Sequence, residues 1–311
     1  MRIVFMGTPD FAVPALEQLV LNGYEVVVYT QPDRVAGRGQ ALTASPVKIA
    51  ALEKGLPVVQ PESLKSALVV EQLAGFQPDA IVVSAYGQIL PESVLAIPPH
   101  GVVNIHPSLL PEFRGASPVA SAILSGYEFA GVSLMLLDKG MDTGPVLARA
   151  QISIAPQDTT GSLTDKLAGV GAQLLLEVLP RWMKGEITPQ PQDEAQATLT
   201  RRFDKGDGEI DWTLPAVELG RRVRALSPWP GCYTRWQGKQ LKIIAAVPLS
   251  DEGNVGIGKV MAQGKGEAAF GVGTGAGVLG ILQVQLEGKR AVTAAEFLRG
   301  QKDFAGTVLP S

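Results

Sequence analysis

Along the first half of the chain, short apolar blocks alternate with stretches whose apolar positions recur at helical spacing. The blocks at 2–6, 25–30, 56–59, 80–84 and 102–105 read as strands, and the second is rich in β-branched residues. The continuous run AIVVS at 80–84 is of the kind buried in a parallel sheet. Segment 9–22 sets Phe11, Ala15, Leu19 and Val20 near helical spacing and is followed by Gly23. The order β-α-β-α predicts an α/β sheet with right-handed crossovers. Further strands are expected at 132–137 and 146–154, and a long helix over 162–183.

The pattern changes after that helix. Residues 185–209 are polar and hold two prolines, which reads as a connector between domains. Beyond it, 215–225 reads as a helix carrying Arg221, Arg222 and Arg224. Five short strands follow, at 232–236, 240–247, 256–261, 268–272 and 278–284, with dense glycine between them, and a last helix spans 294–299. This spacing suggests a small barrel of OB type. The expected division is a Rossmann-like α/β domain over 1–188, a linker over 189–206 and an OB-like domain over 207–311.

Composition and charge sharpen this picture. A length of 311 residues suits two domains. No apolar run approaches the ~20 residues of a membrane span, and the N-terminus opens directly on a strand, without the pattern of a signal peptide. A single cysteine, Cys232, rules out an internal disulfide and a thiolate-held zinc. No metal is expected, and cytoplasmic residence is. The net charge of -3 is unevenly spread. Residues 1–200 hold 12 Lys+Arg and 19 Asp+Glu, whereas 201–311 hold 15 and 11. A basic second domain suits an anionic partner; chance clustering would give the same sums.

Four stretches carry candidate chemistry. Gly7-Thr8-Pro9-Asp10 stands where a dinucleotide fold would place G-x-G-x-x-G, but the further glycines are absent, so NAD is not expected. The loop 31–48 is long for a strand–helix connection and carries Arg34 and Arg38 among glycines, a setting in which guanidiniums reach phosphate. Asn104 and His106 share side-chain parity at a strand's end, where open α/β sheets bind ligands. There an amide can donate to a developing oxyanion and a ring can exchange a proton; a hydrogen-bonded structural histidine fits the residue types equally. The segment 138–144, DKGMDTG, is either a plain turn or the source of a carboxylate for that ring. His100 and Cys232 are expected to be structural.

Taken together, NIHPSLLPEFRGASP and GMDTGPVL resemble the folate-dependent formyltransferases. GTPDF at 7–11, AGRG at 36–39, SAYGQILP at 84–91, IDW at 210–212 and RALSPWPG at 224–231 extend the likeness to the tRNA-acting branch of that family, over nearly the whole chain. The resemblance implies a monomeric enzyme that moves a formyl group from 10-formyltetrahydrofolate to the amino group of methionine on initiator tRNA. It implies that Asn104, His106 and Asp142 are catalytic and that Ser108, Leu109, Leu110 and Pro111 contact folate. It places Arg34 and Arg38 in a loop that meets the acceptor stem. Asn104 and His106 would stabilise the formyl oxygen; Asp142 would orient His106 or take a proton through water. Members often carry a basic residue at position 112 and a lysine pair at 40–41, where this chain has Glu112 and Gln40-Ala41. Arg221, Arg222, Arg224, Lys239 and Lys242 are expected to supply phosphate contacts from the second domain. Rival readings are a formyltransferase for a purine precursor or amino sugar, a formyl-folate hydrolase, and a non-catalytic RNA-binding protein.

Overall fold

The computed structural model describes residues 1–36, 41–249, 255–263 and 267–310. The chain forms two compact units. The first takes Met1–Pro118, Phe129–Ser153 and Thr164–Thr200; the second takes Val119–Glu128, Ile154–Leu163 and Arg201–Ser311.

The strands of the first unit are β1 (Arg2–Gly7), β2 (Glu25–Tyr29), β3 (Arg34–Ala36), β4 (Ala41–Thr43), β5 (Val58–Val59), β6 (Ala80–Ser84), β7 (Val102–His106), β8 (Arg114–Gly115), β9 (Phe129–Leu136), β10 (Val146–Ser153) and β11 (Leu199–Thr200). Seven of them make one sheet in the order β10-β9-β7-β6-β1-β2-β5. β5, β2, β1, β6 and β7 run parallel, and β9 and β10 return antiparallel. Every residue of β6 and β7 is buried, as the unbroken apolar runs require of strands covered on both faces. Val4, Met6, Ile81, Val83 and Val102 pack with Leu64, Leu73 and Val94 into the core on one side.

The helices are α1 (Val13–Leu21), α2 (Pro46–Glu53), α3 (Ala67–Gly75), α4 (Glu92–Leu95), α5 (Pro118–Leu124) and α6 (Thr160–Met183). The helix expected over 9–22 opens as a 3-10 turn, Asp10–Ala12, before α1 begins. Helix α2 starts where Ser45 accepts the Lys48 N–H and Pro46 occupies the first turn, a pairing that satisfies one orphan donor and lacks another. The loop expected over 31–48 is partly built, because β3 and β4 pair as a hairpin.

The connector expected over 189–206 is likewise not a plain tether. Gln190 bridges Val146, and β11 pairs in parallel with β8.

In the second unit, α7 (Ala216–Ala225) precedes β12 (Cys232–Trp236), β13 (Lys239–Leu249), β14 (Val260–Ala262), β15 (Phe270–Gly273), β16 (Val278–Leu286) and β17 (Val292–Thr293), followed by α8 (Ala294–Gly300). The sheet is antiparallel, in the order β12-β13-β16-β15-β14, with β17 beside β16. Helix α8 opens on a full capping box, Thr293 with Glu296. The core is closed by an aromatic knot: Phe304 meets Trp236, Phe270 and Phe297 edge-on at 5.2, 5.0 and 5.0 Å between ring centres.

Phe304 is fully buried and touches three rings at once, so truncation leaves a cavity that its neighbours cannot fill by small shifts. Phe304→Ala is expected to destabilise the protein by about 3–5 kcal/mol, read by denaturant unfolding followed by tryptophan fluorescence. A loss under about 1 kcal/mol would show that the knot is dispensable.

Candidate active site

Alternation along β7 turns Asn104 and His106 to the same face, at the carboxyl end of a parallel strand. Asn104 stands between Val83 of β6 and Met135 of β9, and His106 opposite Ser133. Both are buried, at 9% and 5% exposure. They border a cavity of about 470 Å³, a size ordinary for a small-molecule site. Its walls come from β6 and the loop after it (Val83, Tyr86, Gln88, Ile89 and Leu90), and from the loop between β9 and β10 (Leu137 to Asp142). Ile89 is 89% exposed and Met141 56%, two large apolar side chains that a bound ligand would cover.

The His106 ring is held at one nitrogen and faces a carboxylate with the other. Nε2 lies 3.1 Å from the carbonyl of Phe113. A carbonyl only accepts, so Nε2 carries a hydrogen and donates. Nδ1 faces Asp142 Oδ2 at 3.6 Å, beyond a direct hydrogen bond and within reach of a bridging proton carrier. Phe113 and Asp142 both have left-handed backbones, φ 57° and 56°, a conformation that disfavours non-glycine residues and clusters at functional sites. Burial pushes the His106 pKa down from its ordinary value; the Asp142 carboxylate and the bond to Phe113 pull it up, less strongly. Burial thus favours the uncharged ring, in which a hydrogen on Nε2 leaves the lone pair on Nδ1.

The Asp142 loop is built from within. Asp138 accepts from the Gly140 N–H at 3.0 Å and the Thr143 hydroxyl at 2.7 Å. At Gly144 a Cβ would overlap the Leu136 carbonyl, so only glycine lets the chain turn back there. Asp142 Oδ2 also accepts the Gly115 N–H at 2.8 Å, which joins this loop to the one that follows His106. The turn signals of DKGMDTG and its carboxylate for the ring thus coexist, on Asp138 and Asp142 respectively.

The segment expected to contact folate follows directly on His106 and Pro107, which line the cavity. None of Ser108, Leu109, Leu110 and Pro111 lines the cavity. Leu110 turns into a core cluster with Met135 and Val146, because a leucine there gains more from burial than from a wet rim. The Ser108 hydroxyl donates to the Glu112 carbonyl at 2.6 Å. Ser133 joins the segment to β9, donating to the Ser108 carbonyl at 2.7 Å and accepting the Leu110 N–H at 3.0 Å. Leu109 occupies the space over Gly131, where any Cβ would collide with it. The segment is a buttress that aims the Phe113 carbonyl at the ring. The cavity itself is walled by residues of 85–90 and 137–142. The signal for that was present: AIVVS runs into Ala85-Tyr86-Gly87-Gln88 at a strand's carboxyl end, where such sheets bind ligands.

Among the candidates for an anionic partner, Arg34 is exposed on the β3–β4 hairpin and reaches Gln31 at 3.2 Å. Arg38 and Gln40 lie outside the described residues. In the second unit Lys239 and Lys242 are exposed on β13. The three arginines of α7 are occupied at home. Arg222 donates to the Asp207 carbonyl and Arg224 to the Asp158 carbonyl, each at 3.1 Å, and the Arg221 guanidinium lies over Gly126. The buried Cys232 thiol is pushed up to about 12 by burial, so it stays protonated and inert.

Residues 1–179 match the formyl transferase family and residues 202–302 match the formyl transferase C-terminal domain, and the chain belongs to that family of enzymes. It is 51% identical over 302 residues to a methionyl-tRNA formyltransferase of Chloroflexus aurantiacus, covering 96% of this chain and 97% of the relative. It is 52% identical over 309 residues to that of Roseiflexus sp., covering 98% and 94%. Within the family, the chain belongs with the methionyl-tRNA formyltransferases. Two solved structures share the fold at 20% identity. HypX from Aquifex aeolicus, in complex with tetrahydrofolic acid, superposes with a TM-score of 0.67 over 99% of this chain and 48% of its own; this chain spans about half its length. WlaRD, a sugar 3N-formyl transferase, superposes with 0.67 over 93% and 99%.

A histidine buried neutral destabilises the fold in acid. The unfolded chain binds the proton near pH 6.5 and the folded chain only at lower pH, so stability is complete above that value and is lost as pH falls through the window below it. Denaturant unfolding between pH 7.5 and 5 is expected to show His106→Gln losing less stability than the unsubstituted protein, by up to about 1.4 kcal/mol per pH unit. Parallel curves would mean that His106 binds its proton equally in the folded and unfolded chain, and a variant that lost ground as pH fell from 7.5 would mean that His106 is charged in the fold.

Proposed function

We propose that the protein transfers the formyl group of 10-formyltetrahydrofolate to the amino group of methionyl initiator tRNA, as a monomer in the cytoplasm. The observation that carries the reading is the convergence of Asn104, His106 and Asp142 at one end of a largely apolar cavity. Ile89 and Met141, exposed where they line the cavity, offer apolar surface to the aromatic ring of a folate.

The roles follow from the geometry. No hydrogen bond within the described residues occupies the Asn104 amide, so it is available to the formyl oxygen as negative charge develops; one such donor contributes about 3–4 kcal/mol to the transition state. His106 acts from Nδ1, the nitrogen left with a lone pair once Nε2 is committed to Phe113. It takes the proton of the attacking amine, directly or through one water, as the bond from nitrogen to the formyl carbon forms. The same proton goes to the departing folate nitrogen as its bond to that carbon breaks. Asp142 stabilises the imidazolium between these transfers. Arg34, Lys239 and Lys242 are the described cations best placed for tRNA phosphates, and Arg38 belongs with Arg34 in this reading. Arg221, Arg222 and Arg224 serve the fold first.

Incubation with 10-formyltetrahydrofolate and methionyl-tRNA is expected to yield formyl-methionine, identified by mass; free formate would indicate a hydrolase, and no turnover a binding protein. In single turnover, Asn104→Ala, His106→Ala and Asp142→Ala are each expected to slow transfer about 10²–10³-fold, and a near-normal rate removes that residue from the mechanism.

Affinity for tRNA is expected to fall steeply with salt. Lys239→Gln/Lys242→Gln should weaken binding and flatten the logarithmic salt slope by about 1–2; an unchanged slope would clear both lysines of phosphate contact.

A further inference from the structure

The segment expected to be a linker carries side chains that reach both catalytic loops. Gln192 Nε2 donates to the carbonyls of Asp142 and Gly144 at 2.8 and 2.7 Å. Its Oε1 accepts from Arg114 Nε and Nη2 at 3.1 and 3.0 Å. The two N–H groups and both acceptor positions of one amide are thereby used. The Arg114 guanidinium is buried, at 3% exposure, and is completed by a bidentate pair with Glu194 at 2.9 and 2.8 Å. That pairing holds Arg114 firmly cationic.

The same segment fixes the loop that aims at the ring. Thr198 accepts the Phe113 N–H on its hydroxyl at 2.8 Å and the Arg114 N–H on its carbonyl at 2.9 Å. Residues 192–200 therefore clamp the loop carrying the Phe113 carbonyl and the loop carrying Asp142, the two partners of His106. Nothing about Gln192 suits it to contact substrate: it does not line the cavity and its polar atoms are spent on the two loops.

We propose that Gln192 is a positioning residue for formyl transfer, holding the Asp142 loop at its working distance from His106 through a relay that runs from Glu194 by way of Arg114. The assignment rests on the function proposed above. Asp142 sits in a left-handed conformation that its own backbone disfavours, and Gln192 binds the carbonyl of that same residue. Without it, the loop can relax away from the ring, and a displacement near 1 Å is enough to slow a positioned reaction about 10²-fold.

The test is a double-mutant cycle in single turnover on the full chain. Gln192→Leu removes the amide. Gln192→Glu keeps a partner for Arg114 but cannot donate to the two carbonyls, and it serves if the leucine variant fails to fold. Either is expected to slow transfer about 10- to 100-fold with KM for the folate within about threefold. In an Asp142→Asn background the same substitution is expected to change the rate less than about twofold, because its route to the chemistry has gone. A merely structural glutamine would cost the same factor in both backgrounds. That result, or a fall of less than about fivefold in the otherwise unsubstituted chain, overturns the proposal. Absence of formyl transfer by the unsubstituted protein would overturn the proposed function, and this assignment with it.

Discussion

An imidazole buried at the end of a strand must have both nitrogens accounted for, and in this protein the neighbouring structure is arranged around that demand. One nitrogen donates to a backbone carbonyl, which fixes where the ring's proton lies. The other faces a carboxylate at 3.6 Å, too distant to bond directly. The commitment of Nε2 to Phe113 decides the chemistry available to His106 and explains the shape of the loop that follows. Phe113 presents its carbonyl from a left-handed backbone. The preceding turn must be anchored tightly enough to keep it there. Ser108, Ser133 and Leu110 supply the anchors, two through hydrogen bonds and one through burial.

This arrangement resolves two demands on one site. In the proposed reaction a formyl carbon is attacked by a neutral amine, and the site then needs a base that is unprotonated at rest and acidic enough afterwards to return its proton. Burial keeps the ring neutral, and the facing carboxylate makes the protonated state tolerable. Neither alone suffices: a ring buried without a carboxylate resists protonation, and a carboxylate beside a wet ring would hold it charged. The balance depends on the Asp142 loop staying at its distance, which is why the contacts of Gln192 and Gly115 to that loop matter more than their number suggests.

The two units handle positive charge differently. The arginines of α7 are spent on carbonyls at Asp158 and Asp207 and over Gly126, holding the 119–128 and 154–163 segments within the second unit. Arginine suits such work, since its planar fork satisfies carbonyl ends while keeping its stem packed. The lysines of β13 point outward with no such task. A count of charges could not separate bracing cations from presented ones; the distinction depends on which carbonyls the folded chain leaves in want of donors.

The sequence by itself determined the elements and much of the site. The apolar run at 80–84 and the largely apolar 102–105 are the pattern of strands in the middle of a covered parallel sheet. The parity of Asn104 and His106 follows from the pleat, and the glycines and aspartates of 138–144 make a turn wherever they stand. Asp142 was within reach of the ring on residue type, and the family resemblance joined the two. Only the tertiary structure decided the rest. It seated Leu110 of the Ser108–Pro111 segment in a core with Met135 and Val146. It made the 86–90 loop the wall, because β6 lies beside β7. And it turned a polar connector into a clamp: Gln192, Arg114 and Asp142 are far apart in the chain, and hydrogen bonds between distant side chains leave no periodicity to read.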